Sequence, residues 1–131
     1  MLPLPEEFKS TMCQALGDAE AAKLFASLDS DAEVSIRLNP MKPAATFDGQ
    51  SIGWSSEGRY LAERPQFTLD PHLHGGAYYV QEASSQFVGY LLKDLDLRGC
   101  RVLDMCAAPG GKSTIYSTLV GSDGLVVAND I

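Results

Sequence analysis

Asp104, Cys106, Gly110, Gly111, Lys112 and Asp130 have the types and spacing to build one ligand site. All but the last fall in RVLDMCAAPGGKSTIYSTLV. That stretch reads as an apolar strand (Val102, Leu103, Met105), a small-residue loop from Cys106 to Gly111, and a helix with Ile115, Tyr116, Leu119 and Val120 on one side. A strand turning through glycines into a helix lets the backbone approach a ligand closely, and the helix start offers unpaired N–H groups. LVVAND then reads as a second buried strand ending in Asp130. An acid about 20 residues past such a loop is where dinucleotide-type sites hold a ribose diol.

Spacing decides between ligands. Gly111-Lys112-Ser113 gives the end of a phosphate-binding P-loop, but Cys106 stands where that motif requires its first glycine. The hydride-transfer fingerprint GxGxxG is also absent. Asp104, closing the first strand, suits a ligand with a cationic end. S-adenosylmethionine has an amino group, a sulfonium and a ribose but no phosphate, and it fits this set. The bland alternative is a tight turn that binds nothing.

LDMCAAPGGKST, with YYVQEASSQ and SIRLNPMK upstream, resembles the Nol/Nop/Sun family of RNA (cytosine-5) methyltransferases. The resemblance runs from about Ser35 to Ile131. It implies a class I methyltransferase fold using S-adenosylmethionine. Cys106, Ala107, Ala108, Pro109, Gly110, Gly111 and Lys112 would form the methionine-side loop, and Asp130 would be the ribose-binding acid. It places the catalytic parts, an aspartate before a Pro-Cys motif and a later Thr-Cys motif, downstream of Ile131. It also makes Gln81, Glu82, Ser84 and Ser85 an element bordering the cofactor, although helix-start hydrogen bonding would explain the same residue types.

Composition sets outer limits. The 131 residues carry 45% hydrophobic residues, ordinary for a globular chain, so disorder is not expected. No apolar run approaches the roughly 18 residues of a membrane helix, and MLPLPEEFK lacks a signal peptide's basic start and apolar core. Three cysteines without a CxxC (Cys13, Cys100, Cys106) fit a reduced, cytoplasmic setting. A net charge of −7 argues against this piece gripping RNA by itself.

From the N-terminus, PEEFKSTMCQALG reads as a helix ended by Gly17, with Phe8, Met12, Ala15 and Leu16 at helical spacing. Asp18 is expected to cap a second helix, with Ala21, Leu24, Phe25 and Leu28 as its stripe. EVSIRLN alternates as a half-buried strand, Val34, Ile36 and Leu38 inward, and is broken by Asn39-Pro40 and Pro43. Residues 41 to 70 read as short strands and loops. A boundary near Thr68 to Pro71 then gives a small α+β accessory domain (1–70) before the cofactor domain (71–131). Arg37, Lys42, Arg59 and Arg64 are the cations available to RNA phosphates there. His72 and His74 lack a third ligand at metal spacing, so no metal is expected. A helix should span about Gln81 to Leu95.

Methylating cytosine carbon 5 requires an activated cysteine to add at carbon 6. Cys106 is expected to be committed to the cofactor loop, Cys100 to be buried and inert, and Cys13 to face a helix stripe. None is assigned as nucleophile. The expectation is therefore an α/β chain: an accessory domain, then the start of a doubly wound, Rossmann-like methyltransferase sheet. It would serve an enzyme methylating ribosomal or transfer RNA rather than DNA, away from any membrane. The 131-residue piece alone should be inactive, and its unpaired strand edge should leave it poorly stable or associating through that edge. A P-loop nucleotide-binding protein and a non-catalytic RNA- or cofactor-binding module remain as alternatives.

Overall fold

The computed structural model describes residues 3–42 and 47–131, and Pro43 lies outside them. Contacts divide the chain into two compact units, Met1–Ala32 and Glu33–Ile131. The first holds α1 (Glu6–Leu16) and α2 (Asp18–Leu28). Glu6 and Glu7 occupy the positive end of α1. Gly17, at φ 78°, reverses the chain in one residue, a conformation that costs glycine little. That tight reversal overturns the expected Asp18 cap. Gly17 takes the cap position, and Asp18 is already the first helical residue with no side-chain cap bond. Phe8 and Phe25 bring their rings to 6.2 Å, and Ala21 of α2 is fully buried.

The second unit opens with β1 (Val34–Leu38), then β2 (Gln50–Ile52) and β3 (Ser55–Leu61). A single 3-10 turn (Phe67–Leu69) leads to a short helix, α3 (Pro71–His74), and to β4 (Tyr78–Val80). These strands form an antiparallel sheet in the order β2-β3-β1-β4. Its central strand is not half-buried as its alternation suggested. Ile36 enters the core with Phe67, Ala77 and Tyr78, but Ser35 and Arg37 on the opposite face are buried too. The reason is polar pairing. Ser35 Oγ donates to the Gln81 carbonyl (2.7 Å), and Arg37 donates to the Gln81 side chain (2.9 Å).

The helix expected from Gln81 is shorter, α4 (Ala83–Leu92). Gln81 stays extended because its N–H bonds the Ser35 carbonyl (3.1 Å), continuing the sheet. Then come β5 (Arg101–Asp104), α5 (Gly111–Val120) and β6 (Leu125–Ala128). β5 and β6 pair in parallel, Arg101 opposite Leu125 through Asp104 opposite Ala128. Parallel neighbours joined by a helix are the opening of a doubly wound α/β sheet. The fold class is as expected. The antiparallel sheet reaches past Pro71, however, because β4 pairs with β1.

Candidate cofactor site

The loop between β5 and α5 is fixed at both ends by one carboxylate. Asp104 is 7% exposed; its Oδ2 accepts from Ser113 Oγ (2.6 Å) and its Oδ1 from the Cys106 N–H (3.3 Å). The Asp104 carbonyl accepts from the Asn129 N–H (2.8 Å). Asp104, expected as the partner of a ligand's cation, thus also has an internal task. A desolvated carboxylate needs its own donors, and here they tie the end of β5 to the first turn of α5.

Downstream, the Ala107 N–H donates to the Asn129 carbonyl (3.0 Å), and Gly110 closes a turn onto the Ala107 carbonyl (2.7 Å). Gly110 sits at φ 105°, which side-chain-bearing residues rarely adopt, so glycine is required there. Gly111 also clears its neighbours. A Cβ at Gly111 would lie 2.9 Å from Gln81 Nε2 and 3.5 Å from the Tyr79 ring. The Tyr79 hydroxyl donates to the Pro109 carbonyl (2.8 Å). Tyr79 and Gln81 thus wall one side of the loop.

Asp130 lies two residues beyond the last residue of β6, not at the strand's end. Its exposed carboxylate reaches back to the loop: Oδ2 accepts from the Ala108 N–H (2.8 Å) and Oδ1 from the Ile131 N–H (3.0 Å). An ionised carboxylate offers about four lone-pair sites. Two bonds leave capacity for a diol. Cys106 and Lys112 are exposed. The first N–H groups of α5 have no acceptor within the helix, as at any helix start, and can meet a carboxylate. With the loop's own N–H groups bonded internally, the helix start and Asp130 are the groups with donors and acceptor capacity to spare.

Other expected residues fare differently. Arg37 is 7% exposed, and burial pulls its pKa down against the opposing influence of Glu57 and Tyr79. It donates from Nε to Gln81 Oε1 (2.9 Å) and from Nη2 to Thr114 Oγ1 (2.6 Å), so it is not a free cation for phosphates. Arg59 Nη1 donates to the Ser56 and Gly58 carbonyls, and Arg64 lies over the Phe67 ring. Lys42 is exposed. Cys100 is half-buried rather than buried, just before β5. His72 and His74 belong to α3 rather than a strand, bonded to Asp70 (3.0 Å) and the Thr68 carbonyl (2.9 Å). Among the described residues no His, Cys, Asp or Glu group could hold a metal.

Tyr79, Ser113, Thr114 and the internal role of Arg37 escaped the sequence reading. Local pattern gives no sign of bonds linking residues 44 and 77 positions apart.

Comparison with known proteins supplies the family. Residues 4–83 match the model of the N-terminal domain of 16S rRNA methyltransferase RsmF. The chain belongs to this family of Nol/Nop/Sun methyltransferases. It is 31% identical to the ribosomal RNA small subunit methyltransferase F of Vibrio cholerae, across 98% of this chain and 30% of that protein. A probable ribosomal RNA small subunit methyltransferase B from Synechocystis is 30% identical across 89% of this chain and 28% of its own length. A crystal structure of a methyltransferase homologue from Pyrococcus horikoshii superposes with a TM-score of 0.77 at 28% identity, over 95% of this chain and 44% of that one. The chain thus spans about 30% of the length of the Vibrio relative. The RsmF N-terminal model ends within α4, so the CAAPGGK loop lies beyond the matched residues.

Proposed function

We propose that this chain contributes the accessory sheet and the methyl-donor site of an S-adenosylmethionine-dependent RNA (cytosine-5) methyltransferase acting on ribosomal or transfer RNA. One observation carries the reading: Asp130 reaches back to the Ala108 N–H while the open start of α5 faces the same loop. A ribose end would find an acceptor in Asp130 and an amino acid end the N–H groups at the start of α5. The relatives' names point the same way, toward ribosomal RNA.

Within this reading Asp130 orients the ribose, the α5 N–H groups meet the methionine carboxylate, and Gly110 closes the turn that leads into α5. S-adenosylmethionine supplies the methyl group when bound. Residues 1–70 serve the RNA side and 71–131 the cofactor side, with β4 joining them. Cys106 belongs to the cofactor loop and is not the nucleophile; that thiol, like the base for the carbon 5 proton, lies outside residues 1–131. The three unpaired cysteines suit a cytoplasmic setting.

Calorimetry on the complete gene product tests the site. S-adenosylmethionine should bind without magnesium. Tight magnesium-ATP binding without S-adenosylmethionine binding would replace this reading with the P-loop one.

A further inference from the structure

We propose that Arg37 is a positioning residue for the cofactor loop: from the antiparallel sheet it sets both the Gln81 amide and the first turn of α5, so that the Ala107–Gly111 backbone is preformed. The guanidinium is buried, and burying such a charge is unfavourable unless its donors are paired. Here Nε holds Gln81 Oε1 and Nη2 holds Thr114 Oγ1. With its oxygen turned to Arg37, the Gln81 amide presents its NH2 to Gly111. The Thr114 hydroxyl that accepts from Arg37 donates onward to the Gly111 carbonyl (2.9 Å). One planar fork therefore reaches Gly111 from two sides, which a lysine's single ammonium cannot do. Tyr79, on the strand paired with β1, adds a third grip at Pro109.

The ligand-binding part of this inference rests on the proposed function; the structural part does not. Amide hydrogen exchange on the ligand-free complete gene product separates the two. Arg37→Lys and Thr114→Val should each speed exchange across residues 107–114 by about tenfold, the loss of one charge-assisted hydrogen bond. Protection of the β1–β3 pairing should stay at the wild-type level, and Thr114→Ser, which keeps the hydroxyl, should restore the loop. Unchanged loop exchange overturns the proposal, as does a sheet that loosens in step with the loop, since Arg37 would then be only a core residue. Thr114, at the exposed face of α5, keeps the test alive if Arg37→Lys fails to fold.

Calorimetry with S-adenosylmethionine should show about tenfold weaker binding for each variant, and the double variant should bind no more weakly than Arg37→Lys alone. Additive losses overturn the coupling. If the wild type binds no S-adenosylmethionine, the proposed function falls while the exchange result still decides the role of Arg37.

Discussion

The two sheets of the second unit meet water differently. In the antiparallel sheet β1 is covered on both faces, Ile36 toward the aromatic core and Ser35 and Arg37 under a polar layer of Gln81 and Gln86. The parallel pair β5-β6 is covered on one side only. Val102, Asp104 and Val126 turn inward, while Leu103 (60% exposed), Leu125 (52%) and Val127 (49%) face out. Parallel strands are normally buried on both faces. The comparison teaches where the loop between β5 and α5 gets its order. It grows from the half-covered pair but is held by Tyr79, Gln81 and Arg37, which belong to the doubly covered β1 and the β4 segment beside it.

Ile36→Ala breaks the comparison from its strong side. A fully buried side chain at the centre of the sheet should cost roughly 2–5 kcal/mol when truncated, read as a lowered urea midpoint. A loss under ~1 kcal/mol would mean the sheet is no more tightly built than the parallel pair.

Asp130→Asn probes the loop without touching either core. It keeps an acceptor for the Ala108 N–H and removes the charge from the proposed diol bonds, so S-adenosylmethionine affinity should fall by about tenfold with stability unchanged. Equal affinity by calorimetry would reduce Asp130 to a loop fastener.

Titration sharpens the covered side. Burial, helped by the bond to Asp70 (2.8 Å), pushes the Tyr78 hydroxyl up to about 12. The folded state then binds more protons than the unfolded one above pH ~10, so this stabilisation is complete below pH ~10 and is lost as pH rises toward 12. Asp70 shows the opposite sign. Its pKa is held below 3.8, mainly by the Tyr78 hydroxyl, so its contribution is present above that value and fades as pH falls through the folded value. Tyr78→Phe should flatten the alkaline limb of a stability–pH curve; an unchanged limb would assign that limb to another group.

The smallest stability effect belongs to the open face. Leu103→Gln with Leu125→Gln should change the urea midpoint by less than about 0.5 kcal/mol, since neither side chain is enclosed. The pair should lower concentration-dependent association in sedimentation, because these exposed apolar groups are what a second molecule would cover. A large midpoint loss instead would show that this face is already packed.

The amino-acid sequence by itself determined the local events. Glycine after α1, the alternation of β1, and the strand–loop–helix from Arg101 to Val120 each follow from the conformational and solvation preferences of neighbouring residues. The loop and Asp130 were legible in the same way, as a spacing. What only the tertiary structure decided was the assignment of polar side chains. Arg37 reads as a surface cation and is a buried clasp, Asp104 fastens the end of β5 to the first turn of α5, and Gly111 makes room for Gln81. Burial of a charge or an amide depends on whether a partner arrives from elsewhere in the chain. Those partners come from strands and helices tens of residues away, so no local pattern could distinguish a solvated arginine from a paired one.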